Sequence, residues 1–145
     1  MAGADDSTST RSLHHVALVV SDLDAAVAGY EALGFAAAER FDVSEQAVEV
    51  ATFKAGSGWL ELIRPTDPGG PIARYLAKRG EGFHHLAYGV PDLPSELERL
   101  ERAGVRLIDR VPRCGVHGWS IAFVHPESCG GVLTELVETS EGQGA

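Results

Sequence analysis

Two stretches of the chain repeat one alternation of apolar and polar positions. Leu13-His14-His15-Val16-Ala17 returns 70 residues later as Phe83-His84-His85-Leu86-Ala87. Self-similarity of this kind marks a duplicated supersecondary unit. Each copy runs from an apolar, β-rich segment across a helix N-cap residue, Asp22 or Asp92, into an amphipathic helix that stops at Gly34 or Gly104. Leu23, Ala26, Val27, Tyr30 and Leu33 share a stripe in the first helix. Leu93, Leu97, Leu100 and Ala103 do so in the second, with Glu96, Glu98, Arg99 and Arg102 facing away. Three strand-like runs complete each half: Phe35 to Phe41, Ala47 to Phe53 and Trp59 to Ile63, then Val105 to Ile108, Trp119 to Val124 and Gly131 to Val137. Between the halves, Ile72, Tyr75 and Leu76 share a face and Gly80 follows, which predicts a short linking helix over Pro71 to Arg79. The pattern as a whole predicts an α+β chain of two tandem βαβββ modules, over 13–66 and 83–138, with the linking helix within 70–80. Residues 1–12 and 139–145 read as polar tails.

The 145 residues suit one ordinary domain or two half-sized modules sharing a core. Hydrophobic residues at 44% and charged residues at 23% exclude intrinsic disorder for the bulk of the chain. The net charge of −9, with no basic stripe interleaved with aromatics, argues against nucleic acid as a partner. An anionic substrate would then need a local basic patch or a metal. No apolar run approaches a membrane span, and MAGADDSTSTRS lacks the apolar segment of a secretory signal, so a cytoplasmic location is expected. Cys114 and Cys129 lack metal-ligand spacing and are expected as reduced thiols.

A lone histidine on a strand is most often a packing residue. Here the same pair occupies the same place in both halves, and the last strand of each adds a carboxylate among apolar neighbours. These are Leu60-Glu61-Leu62-Ile63 and Leu133-Thr134-Glu135-Leu136-Val137. A buried carboxylate without a partner costs roughly several kcal/mol, so two of them need a compensating charge. A divalent metal supplies it, and imidazole with carboxylate suits Zn, Ni, Co, Mn or Fe(II). The rival reading has both glutamates facing solvent and the histidine pairs simply packed; strand alternation alone does not say which histidine of a pair turns inward. Nucleophile elbows and phosphate loops are absent. Gly56-Ser57-Gly58 begins like a dinucleotide-binding turn, but Glu61 stands where its third glycine belongs, so no cofactor besides the metal is expected. His117 and His125 are candidate substrate contacts.

From Leu13 to Glu138 the chain resembles the vicinal oxygen chelate (glyoxalase/bleomycin resistance/dioxygenase-like) superfamily and, within it, the methylmalonyl-CoA epimerases. GEGFHHLAY and HPESCGGVLTEL carry the resemblance most specifically. It implies a cupped mixed β-sheet around one metal ion held by His15, Glu61, His85 and Glu135. It also implies an isomerase acting on a 2-substituted malonyl-CoA thioester such as methylmalonyl-CoA, through α-proton abstraction and a metal-stabilised enolate, in a homodimer. Glu135 would serve one face of the substrate. In some family members a glutamate in the pattern E-Q-G-V-x-E serves the other. This chain reads Glu45-Gln46-Ala47-Val48-Glu49-Val50, so Val50 stands at that position and Glu49 could act only if a bulge re-aims it. Gln46, Arg74, Lys78, His117 and Trp119 are the candidate substrate contacts, and Arg79, Arg106, Arg110 and Arg113 could also meet phosphates. Trp119, Ser120 and Glu127 stand where the family often carries basic residues, and Trp119 would favour an aromatic or polyketide-like substrate. The rivals are another isomerase or lyase of the superfamily, possible in secondary metabolism, and a metal-free binding protein of the same fold.

Overall fold

A computed structural model describes residues 11–139. The expected tails lie outside them, apart from Arg11, Ser12 and Thr139. The chain divides into two compact units: His15–His84, called here the first module, and the residues from His85 onward with the segment up to His14, the second. No helix among the described residues is long and apolar enough to cross a membrane.

The first module holds β1 (Ser12–Val19, from His15 on), α1 (Leu23–Ala32), β2 (Glu39–Val43), β3 (Val48–Ala55), β4 (Gly58–Pro65) and α2 (Pro71–Arg79). Its strands lie in the order β2-β3-β4-β1, with β1 parallel to β4 and the other pairs antiparallel. The crossover through α1 makes the one parallel pair possible. Asp22 caps α1 by accepting from the Ala25 N–H at 3.0 Å, and Gly34, at φ +111°, takes the left-handed turn that ends it. One sheet face packs Ala51, Phe53 and Leu62 against Leu23 and Val27 of the helix.

The second module repeats this plan with β5 (Gly82–Val90, from His85 on), α3 (Leu93–Arg102), β6 (Arg113–Cys114), β7 (Ser120–Val124) and β8 (Thr134–Glu138). Its order is β5-β8-β7-β6, again with one parallel pair, β5 with β8. Asp92 caps α3, whose Leu93 and Leu97 pack on Val90, Ala122, Val124 and Leu136.

Three expected strands differ. The run Phe35 to Phe41 yields a strand only from Glu39, because Phe35 is held in the core by the rings of Tyr30 and Phe53, at 5.9 and 5.7 Å. Gly131 to Val137 starts as a strand only at Thr134, after a turn through Gly130 and Gly131, both at positive φ. Val105 to Ile108 is not a strand. It makes a single bridge, Leu107 to Val124, and then the Ile108 and Asp109 N–H groups both turn to the carbonyl of Phe123. The Phe123 N–H is taken by the Asp109 carboxylate at 2.8 Å, so a side chain replaces the ladder. The edge strand forms later, at Arg113–Cys114.

Gly89, paired with Val137, shows how closely the second module is packed. A Cβ there would lie 2.9 Å from Ser12 Oγ and 3.1 Å from Thr139 Cγ2. Gly89→Val should therefore cost about 1–3 kcal/mol of stability by overpacking, read as a lower midpoint in denaturant unfolding, with Gly89→Ala milder.

Candidate functional site

The sheet face turned away from the helix carries the chemistry in each module. In the first, register fixes its members: Ala17, Glu61 and Thr52 lie abreast, as do Val19, Ile63 and Val50. His15 shares the face with Ala17, two residues on. Its Nε2 lies 3.8 Å from Glu61 Oε1, and both side chains are buried, at 1% and 9% exposure. Ala17, fully buried directly across from Glu61, leaves the space through which the carboxylate reaches the ring.

The second module builds the same pair more tightly. Ala87, Glu135 and Phe123 lie abreast, and His85 shares their face. His85 Nε2 is 2.7 Å from Glu135 Oε1, with both side chains at 5% exposure or less. The Phe123 ring meets the His85 ring edge to face at 5.2 Å, which fixes the imidazole plane. Ile121, Val137 and Ala87 pack beneath, with Trp119 and Phe123 at their margin.

The other histidine of each pair turns elsewhere. His14 is half-buried with its ring edge-on to Trp119 at 4.5 Å. His84 packs on Tyr75 at 4.7 Å, whose hydroxyl donates to the Phe83 carbonyl. The alternation that buries His15 and His85 thus gives His14 and His84 aromatic neighbours.

The remaining sequence candidates separate clearly. Glu49 pairs with Arg64 in register, faces the helix side opposite to Glu61, and accepts from Arg64 Nε at 3.1 Å. The β3–β4 ladder is unbroken from Val48–Pro65 to Ala55–Gly58, so the bulge that Glu49 would need as a proton acceptor is not there. Val50 occupies the site face, as its place in the pattern implies. Gln46 ends a short 3-10 turn, half-buried, before Ala47 at φ 56°. Arg74 and Lys78 are exposed on α2, and Arg74 is spent on the Gly69 carbonyl. His117 adopts φ 59° and lays its ring on Trp119 at 4.7 Å. His125 accepts from the Glu127 N–H at its own turn.

Sequence reasoning did not single out Phe123, Thr52 or Glu39 for the site face. Each becomes visible only through register: Phe123 opposite Glu135, Thr52 opposite Glu61, and Glu39 opposite Thr52. Strand composition alone does not carry that information.

What these residues can do follows from their chemistry. A carboxylate buried beside an imidazole keeps its charge only with a cation or a proton close by. Each module offers one buried nitrogen and one buried oxygen donor, a chemistry that suits a divalent transition metal better than Mg or Ca, which prefer oxygen alone.

Residues 14–123 match the model of the Glyoxalase/Bleomycin resistance protein/Dioxygenase superfamily. YqjC of Bacillus subtilis (strain 168), an uncharacterized protein, is 42% identical over 127 residues, 87% of this chain and 91% of that one. The ethylmalonyl-CoA/methylmalonyl-CoA epimerase of Cereibacter sphaeroides is 37% identical, over 86% of this chain and 95% of its own. A variant of the Streptomyces coelicolor methylmalonyl-CoA epimerase, solved with 2-nitronate-propionyl-CoA, superposes with a TM-score of 0.82 at 36% identity. That match covers 88% of this chain and 94% of the other. By sequence and by fold, the chain belongs to the Glyoxalase/Bleomycin resistance protein/Dioxygenase superfamily, alongside its methylmalonyl-CoA epimerases.

Proposed function

We propose that the chain is a metal-dependent epimerase of a 2-substituted malonyl-CoA thioester such as methylmalonyl-CoA, acting in the cytoplasm as a homodimer. The observation that carries this reading is the buried His–Glu pair that each module carries on the sheet face opposite α1 or α3. His15, Glu61 and His85 have the chemistry and burial of a three-donor metal site, and Glu135, bonded to His85, adds a fourth donor. When bound, a divalent ion supplies the positive charge that stabilises an enolate oxygen.

The residues supply the rest. The α-hydrogen of such a substrate lies between a thioester carbonyl and a carboxylate, and its loss from one face and return to the other inverts the centre. Glu135 serves one face as proton acceptor and donor. Burial beside His85 holds its carboxylate in a single direction, as general acid–base work requires. The opposite face is not served by Glu49, which faces the helix and is held by Arg64. Glu39 is the carboxylate that register leaves on the site face of the first module, across Thr52 from Glu61. Phe123, Ile121, Val50 and Ile63 line these faces with apolar surface, which limits water around a reactive carbanion.

Elemental analysis of protein purified without chelators should find about one metal equivalent per chain, the stoichiometry of a single four-donor site. His85→Ala or Glu135→Ala should remove most of it, whereas folded His84→Gln should keep it. Full occupancy in the His15→Ala/His85→Ala double variant would dismiss the site. Light scattering reads the dimer directly, as a solution mass of two chains.

The reaction is tested by incubating (2R)- and (2S)-methylmalonyl-CoA in deuterated buffer and following the α-position by NMR. Both enantiomers should incorporate deuterium and interconvert. Glu135→Gln and Glu39→Gln should each slow exchange by about 10²–10⁴, the usual weight of a general acid or base, with metal content measured alongside. Glu49→Gln should leave exchange nearly unchanged. Metal-replete wild-type protein that exchanges neither enantiomer would retire the epimerase reading.

A further inference from the structure

An acyl-CoA and the carboxylate beside its α-carbon are both anionic, and the chain carries a net charge of −9. Such a ligand must find positive charge near the reacting face. Among the described residues, the basic side chains of the second module are six arginines, and five of them are paired with glutamates: Arg11 and Arg99 with Glu96, Arg102 with Glu98, Arg106 with Glu127 and Arg110 with Glu101.

Arg113 is different in three respects. It sits on edge strand β6 opposite Ile121, and Ile121 lies abreast of Val137, so register puts Arg113 on the same sheet face as His85 and Glu135. Its guanidinium stacks over the Phe123 ring at 5.4 Å, and that same ring abuts His85. Its ion-pair partner, Asp109, lies 3.3 Å from Nε while accepting the Phe123 N–H, and is 18% exposed. The guanidinium is therefore anchored from one side by a carboxylate that is fixed in place by the backbone. Its two terminal nitrogens, on a side chain 46% exposed, remain for an acceptor from solution. A planar fork held in one orientation is the arrangement that binds a carboxylate or phosphate through two parallel N–H···O bonds.

We propose that Arg113 is the anion-reading residue of the site, binding an anionic oxygen pair of the substrate, the free carboxylate or a CoA phosphate. The inference rests on the epimerase reading for the identity of the ligand, though not for the existence of the anion subsite. It also accounts for the departure of the Val105–Ile108 run from strand structure, since Asp109 at the end of that run both replaces the ladder at Phe123 and seats Arg113.

Calorimetric binding of three ligands to the metal-replete wild-type protein and to Arg113→Met tests it. The ligands are methylmalonyl-CoA, methylmalonyl-pantetheine, which lacks the phosphates, and propionyl-CoA, which lacks the free carboxylate. If Arg113 reads the carboxylate, Arg113→Met weakens the two methylmalonyl ligands roughly 10- to 100-fold, the range of a charge-assisted contact, and leaves propionyl-CoA unchanged. If it reads a phosphate, the two CoA thioesters weaken and the pantetheine thioester does not. Equal binding of all three by wild type and folded Arg113→Met overturns the proposal. Arg113→Lys keeps the charge without the fork and should lose part of the same affinity. It decides the matter should Arg113→Met prove unstable, and wild-type affinity in it for all three ligands counts against the proposal. A binding loss in Arg113→Met with no deuterium exchange by wild type would remove the epimerase reading and leave Arg113 in its role. Wild-type protein that binds none of the three removes both.

Discussion

A glutamate buried in a strand is tolerated only when something nearby compensates its charge, and in this chain that requirement falls on the pairing of two parallel strands. In each module the last strand runs beside the first, and a fully buried alanine, Ala17 or Ala87, stands directly across from the glutamate. The histidine two residues earlier shares that face, and the small alanine leaves the carboxylate room to lean toward its ring. A slip of one residue in either pairing would send the glutamate to the helix side, against Leu23 and Val27 or Leu93 and Leu97, where nothing answers its charge. The helices, their aspartate caps and the aliphatic packing beneath them hold that register.

The two modules then diverge around the common pair. Opposite Glu61 stands the buried hydroxyl of Thr52, while opposite Glu135 stands Phe123. The aromatic ring fixes the plane of His85, and its module holds histidine and carboxylate at 2.7 Å against 3.8 Å in the other. The repeat supplies the donors twice, and the residue opposite each glutamate gives one half an aromatic wall and the other a polar one.

Much of this was legible in the sequence. The repeat of His-His with Ala two residues beyond, the aspartate and glycine that bracket each first helix, and the linking helix at Pro71–Arg79 all stand where the pattern puts them. The inward histidine was not legible from alternation, which gives two faces without saying which is buried; His14 meets Trp119 and His84 meets Tyr75 instead. The Val105–Ile108 run misled because Val105 and Leu107 do pack against the core, while the Ile108 and Asp109 N–H groups share the Phe123 carbonyl and the Phe123 N–H goes to the Asp109 carboxylate instead of a ladder carbonyl. Propensity measures the burial of such a segment and is silent on who receives its N–H groups.

The third strand shows the same limit from its other side. Ala47 takes a left-handed conformation, φ 56° and ψ 45°, immediately before Val48, at the place where the related pattern carries glycine. That conformation costs an alanine about 1–2 kcal/mol, so it persists only because both ends of the turn are held. The Ala47 N–H bonds the Ser44 carbonyl, and the Ala47 carbonyl receives the Thr66 N–H at 2.8 Å. The chain's change of direction is therefore completed before β3 begins, and the ladder from Val48 onward runs in regular alternation. An unbroken ladder cannot turn Glu49 and Val50 to the same face. With Glu49 given to Arg64, the site face of this strand consists of Val48, Val50 and the buried Thr52, ending in Lys54 over the ring of Trp59 at 4.6 Å. A carboxylate on that face has to come from a neighbouring strand, and register provides Glu61 on β4 and, across Thr52, Glu39 on β2.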